Sequence, residues 1–149
     1  MRALIQRVSE SSVEVSGKSV AAISKGFLIL LGVAEEDTDS DLDQLAKKIP
    51  ALRIFPDAEG KMNLSVADIK GDLLVVSQFT LIADTAKGNR PSFFRAAKPE
   101  KANFLYEKFI EKMRATGLKV ETGIFGADMK LRLLNDGPVT ILLDTRERE

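Results

Sequence analysis

The chain has 149 residues, 44% of them hydrophobic, and its 22 basic and 22 acidic side chains give a formal net charge of zero. That size fits one domain, residues 1–149, large enough to bury its own core and undivided by any Pro/Gly/Ser-rich linker. Cysteine and histidine are both absent, which excludes disulfides, thiolate nucleophiles, Ser-His-Asp and Cys-His arrangements and ordinary zinc sites. Any catalysis must then use carboxylates, lysines, hydroxyls, backbone dipoles, an oxygen-ligated metal, or groups brought by the substrate.

The start, MRALIQRVSE, lacks the uninterrupted apolar stretch and cleavage site of a signal peptide. No apolar run is long enough to span a bilayer, so a soluble cytoplasmic protein without a membrane partner is expected. From Leu4 to Val33 the sequence alternates and is punctuated by Gly17 and Gly26, which predicts three or four short strands with tight turns. EEDTDSDLD, residues 35–43, carries six carboxylates just where a helical pattern through Leu42, Leu45, Ala46 and Ile49 begins. Acids at a helix start suit the macrodipole, so capping is preferred there to a metal site. DLLVVSQFTLIA, residues 72–83, reads as a central strand buried on both faces.

KGNRPSFFRAAKPEK, residues 87–101, holds five basic residues and one acidic one, with Phe93 and Phe94 among them. A polyanion could dock there, and a solvated basic loop is the plainer alternative. Pro99 opens the longest helix, with Ala102, Leu105, Phe109 and Met113 on one stripe and a stop at Gly117. Strands follow from about Lys119 to the end. This order predicts helices on one side of a largely antiparallel or mixed sheet system.

Two short segments stand out. Ser77, Gln78 and Thr80, in SQFTL, interrupt the end of an otherwise apolar strand, and polar groups there need partners or a ligand. NDGPVT, residues 135–140, lies between MKLRLL and VTILLD, a strong hairpin signal in which Gly137 would supply positive φ. Pro138 fits that reading poorly because it removes a strand donor, and an X-Pro bond can be cis at modest cost.

Taken together, IQRV, SQFTL, the KGNRPSF loop, GIFGADM and NDGPVT, in this order from Met1 to about Leu143, resemble the D-aminoacyl-tRNA deacylase family, also called D-tyrosyl-tRNA deacylase. Only the charged tail DTRERE falls outside the resemblance. It implies an α/β fold of mixed and antiparallel strands in a barrel-like layer, and a homodimer with its sites at the subunit interface. It also implies a hydrolase acting on the 3′ end of aminoacyl-tRNA, with glycyl esters as further substrates; no cofactor and no metal ligand is assigned.

The resemblance further implies that a cis Gly137-Pro138 bond reaches into the partner's pocket and turns its carbonyls on the chiral centre, with Arg7 holding the motif. Ser77, Gln78, Phe79 and Thr80 would form the facing wall, with the Phe79 N–H near the scissile ester. Phe125 and Met129 would line the pocket for the terminal adenosine, core packing being their alternative, and Lys87, Arg90 and Arg95 would meet RNA. An aminoacyl ester is already activated and its ribose hydroxyl can assist, so positioning and backbone donors can suffice without histidine. Thr80 as a covalent nucleophile is the competing mechanism, although a threonine hydroxyl needs an adjacent base. A non-catalytic nucleic-acid-binding module and a purely structural homodimer are the readings outside catalysis.

Overall fold

The computed structural model describes residues 1–147; of the tail DTRERE, Arg148 and Glu149 lie outside the described residues. The alternating N-terminal third forms three strands, β1 (Arg2–Val15), β2 (Lys18–Ile23) and β3 (Gly26–Gly32). β1 and β2 are joined by a tight turn whose Gly17 has φ +79. β1 is the hub of the sheet. One of its edges pairs antiparallel with β3 through Arg2–Val8 and with β2 through Ser11–Val15, while the other pairs antiparallel with β8 (Lys130–Asp144).

Outward from β3 come two parallel neighbours, β6 (Asp72–Ser77) and β7 (Val120–Thr122). The sheet is therefore mixed. A separate two-stranded sheet is made by β4 (Phe55–Pro56) and β5 (Met62–Leu64).

Both faces of the central strands are apolar because each face has its own core. On one side Ile5, Phe27, Ile29, Leu73 and Val75 pack with residues from α1 (Asp39–Lys48) and α2 (Pro99–Arg114). The stripe Ala102, Leu105, Phe109 and Met113 is buried there, as its spacing predicts. On the other side Leu28, Leu74 and Val76 pack with Val8 and Val13 of β1 and Ala21 and Ile23 of β2. The sheet therefore curls over itself toward a barrel. Val8 faces the second core by simple alternation from Ile5, and Val13 joins it there because the register of β1 with β8 slips between Val8 and Glu10. Since side chains alternate with period two, one extra residue moves the later ones to the opposite face.

The acidic stretch is a cap and an anchor. Asp41 Oδ2 accepts the Thr38 N–H at 2.8 Å at the start of α1. The buried Asp37 carboxylate receives the Met1 ammonium at 2.7 Å and the Ala34 N–H at 2.7 Å.

Two expectations are corrected. The strand predicted over residues 72–83 ends at Ser77, and the chain enters a 3₁₀ turn, Phe79–Ile82. The neighbouring strand β3 stops at Gly32, and a Cβ at Gly32 would lie 2.9 Å from Leu81 Cβ. The missing side chain therefore leaves the space into which the turn folds back. Nor is NDGPVT a hairpin. Thr140 pairs with Gln6 and Asn135 with Val8, and the residues on either side continue antiparallel to β1 in the same direction. The two runs are one strand, β8, with residues 136–139 bulged out opposite Arg7.

Candidate active site

The bulge is built by its own sequence. Asn135 Oδ1 accepts the Val139 N–H at 2.8 Å, and Asn135 Nδ2 donates to Thr140 Oγ1 at 3.0 Å. A short amide side chain reaching forward in the chain closes the four-residue excursion from within. Gly137 has φ +131, a region that L side chains rarely adopt, and its bond to Pro138 is cis. An added Cβ would lie 2.9 Å from Val139 Cγ2 and 3.0 Å from Arg7 Nη2. Gly137 and Pro138 are exposed.

Arg7 holds the bulge from below. It is buried at 9% exposure, donates from Nε to Asp136 O at 3.0 Å, and donates from Nη1 to Ile54 O at 2.6 Å. Its guanidinium also lies over the Phe55 ring, 5.9 Å from the centroid. Buried cations need such a set of partners, and the planar fork of arginine can satisfy two carbonyls at once.

The SQFTL segment supplies a second group. Gln78 N–H donates to Leu31 O at 2.8 Å, and Gln78 Nε2 donates to Thr80 Oγ1 at 2.5 Å. Leu81 and Ala83 return their N–H groups to Gln78 O and Thr80 O, each at 3.2 Å. The first N–H groups of a helical turn have no acceptor within it. Among the described residues, those of Phe79 and Thr80 meet no backbone acceptor. The half-exposed Phe79 ring packs edge-on against Phe93 at a centroid distance of 5.0 Å.

Phe93 joins this turn to the basic loop, whose first part is clamped by reciprocal 2.8 Å bonds between Asp84 and Ser92. Lys87, Arg90 and Arg95 are exposed on it and form no salt bridge among the described residues. A groove of about 1230 Å³ beside the turn is lined by Arg2, Ile82, Ala83, Phe94 and Arg95, among others.

Phe125 and Met129 are each half-buried. Phe125 packs against the helix-covered core, with its ring 6.0 Å from Tyr106, and Met129 packs against the second core. The Tyr106 hydroxyl donates to Val75 O at 2.9 Å, and burial pushes its pKa above the ordinary tyrosine range.

The fold thus brings Arg7 to Gly137 and Pro138, and Ser77–Thr80 to Phe93 and the basic loop. It does not bring the two groups together within one chain. The bulge stands level with Arg7, Phe27 and Leu73 across the sheet. Ser77 lies four residues further along β6, roughly 13 Å at the rise of a strand, and β1 and β3 separate β8 from β6. Asn135, Gly32 and Phe93 are parts of this arrangement that sequence reasoning did not assign. Asn135 had a legible signal, an amide four residues before Val139. The other two depend on contacts between distant segments.

Residues 4–144 match the family model described as D-Tyr-tRNA(Tyr) deacylase. A protein of Thermotoga petrophila named D-aminoacyl-tRNA deacylase is 58% identical over 97% of both chains. One of Thermosipho melanesiensis with the same name is 57% identical over 99% of both. A solved structure titled "c-Myc DNA Unwinding Element Binding Protein" superposes with a TM-score of 0.93 at 42% identity, covering 99% of this chain and 100% of its own.

Proposed function

The chain belongs to the D-Tyr-tRNA(Tyr) deacylase family, and we propose on that premise that it hydrolyses the ester bond of D-aminoacyl-tRNA, releasing free amino acid and tRNA. The observation that carries the reading of the site is the exposed bulge at Gly137 and Pro138, closed by Asn135 and held by the buried Arg7. It presents backbone to a ligand with no side chain at Gly137. A wall of backbone can police the α-carbon without reading the side chain. D-aminoacyl and glycyl groups are admitted, and an L side chain is directed into the carbonyls.

The opposite wall is Ser77, Gln78, Phe79 and Thr80, with the Phe79 N–H directed to the oxyanion that develops as water attacks the ester carbonyl. The 2′-hydroxyl of the terminal ribose orients the water and the leaving oxygen, so the chain contributes positioning and exclusion of solvent. Thr80 as a nucleophile is less well supported. Its hydroxyl accepts from the Gln78 amide, a donor that cannot take its proton, and no base is hydrogen-bonded to it among the described residues. Phe125 and Met129 each offer their uncovered side to the terminal adenosine, and Lys87, Arg90 and Arg95, which form no salt bridge among the described residues, offer their charges to phosphates.

Because bulge and turn are separated in one chain, each site takes its Gly137-Pro138 from a second copy. β8 supports such an assembly. It pairs only with β1 among the described residues and leaves Leu133, Leu134 and Leu142 at 38%, 56% and 50% exposure, an open apolar edge of the kind proteins usually cover. Among the described residues no helix is long and apolar enough to cross a membrane, and the proposed tRNA substrate goes with a cytoplasmic enzyme. The experiment is to incubate the protein with D-aminoacyl-, glycyl- and L-aminoacyl-tRNA and follow the free amino acid. Release from the first two alone is the expected result, and equal rates on D and L esters would reject the reading.

A further inference from the structure

We infer that Arg2 is a positioning residue for the 3₁₀ turn that carries Phe79 and Thr80; the inference rests on reading that turn as the wall beside the ester. A single 3₁₀ turn holds its own shape weakly, and its last carbonyls lack intrahelical donors. This turn is gripped from outside at both ends. At its start Gln78 N–H is fixed on Leu31 O, and further along Leu81 rests in the space above Gly32. At its end Arg2 Nη1 donates to Leu81 O at 2.8 Å.

The guanidinium is itself fixed, because Arg2 Nε donates to Asp144 Oδ2 at 2.8 Å while Asp144 Oδ1 accepts the Arg146 N–H at 3.0 Å. Arg2 begins β1 and Asp144 ends β8, in register with each other. One planar fork therefore locks the end of the sheet and places its other edge on the turn. Between the two grips lie the N–H groups of Phe79 and Thr80, which meet no backbone acceptor among the described residues. A lysine ammonium, a point charge on a flexible stem, does not reproduce a two-sided fork. Arg2 acts through the carbonyl of Leu81, and its loss lets the turn relax and misdirects those donors. Small misplacements at a reacting centre cost about 100-fold in rate.

The test is steady-state hydrolysis of D-aminoacyl-tRNA by full-length Arg2→Ala, Arg2→Lys, Asp144→Ala and Asp144→Asn, together with amide hydrogen exchange on each. Arg2→Ala is expected to lower kcat by about 10- to 100-fold with KM within about twofold. Arg2→Lys and Asp144→Ala should fall between it and wild type, and Asp144→Asn, which keeps an oxygen for Nε–H, should lose less than about threefold. Exchange at Leu81 and Ala83 should rise at least about tenfold in Arg2→Ala while Ile5 and Ile29 stay protected. Wild-type kcat in Arg2→Ala, a rise in KM alone, or faster exchange across the whole sheet would each overturn the inference. Failure of wild type to hydrolyse the D ester would instead reject the deacylase reading, and the exchange data would still report whether Arg2 holds the turn.

Discussion

At Gly137 the backbone does what a side chain would obstruct. Its φ of +131 and the Cβ contacts of 2.9 and 3.0 Å mean that Gly137→Val forces either the bulge or Arg7 to move, against strain of about 1–3 kcal/mol. The expected outcome is a folded protein that has lost most hydrolysis of D esters, read by kcat/KM beside a melting curve. Arg7 is the complementary case. Arg7→Ala leaves Asp136 O and Ile54 O without their donor, so about 2–4 kcal/mol of stability should go, and denaturant unfolding would show it. Activity should fall further than stability explains, because the bulge loses its support. Thr80 separates the two mechanisms. Thr80→Ala keeps the backbone N–H and is expected to retain activity within about tenfold; full loss, with an acyl adduct trapped on wild-type Thr80, would establish the nucleophile instead.

Elements carry effects that no single residue shows. The loop over residues 84–92, which carries Lys87 and Arg90, is closed by its Asp84 and Ser92 bonds, and Phe93 packs on the turn just before the exposed Arg95, so these three cations can be removed without disturbing the sheet. Lys87, Arg90 and Arg95 changed together to Ala should weaken tRNA binding and reduce the slope of log affinity against log salt by up to about 3, while the preference for D over L esters is unchanged. An unaltered slope would make this a solvated loop. The start of α1 carries a pH dependence. Burial works against ionisation of Asp41, but the Thr145 hydroxyl, the Thr38 N–H, the Met1 ammonium and Arg146 together hold its pKa below the ordinary carboxylate value of 3.8. A depressed folded-state pKa gives stability that is present above the unfolded value and is lost as pH falls through the folded one. Asp41→Asn should therefore flatten the loss of stability below about pH 4 in acid unfolding curves.

At the scale of the molecule, a single chain keeps its bulge and its turn on different strands, and the proposed site requires two copies. Activity should then fall on dilution through the range where subunits separate. Mixing gives the sharper measurement: once Gln78→Ala has been found to abolish activity on its own, Gly137→Val subunits combined with Gln78→Ala subunits form heterodimers with one site bearing both defects and one bearing neither. Partial activity should return once exchange has occurred. If exchange is demonstrated and no activity returns, the bulge does not serve a partner's site.

Much of this was legible in the sequence because it is written in short periods. Alternation marked β1 to β3, spacing of three and four marked the buried stripe of α2, Pro99 marked its start while its end came at Arg114, three residues before Gly117, and the acids before Leu42 marked a cap. The missing histidine and cysteine restricted the chemistry before any fold was known, and the ordered motifs identified the family. What the sequence could not contain was which strand pairs with which. NDGPVT has the local chemistry of a hairpin, and only the pairing of both its flanks with β1 makes it a bulge. SQFTL continues an apolar run, and only the end of β3 at Gly32 turns it into a 3₁₀ turn. Local dihedral preferences are properties of a few neighbouring residues, whereas register and strand ends are set by partners far along the chain, and those partners meet only when the sheet forms.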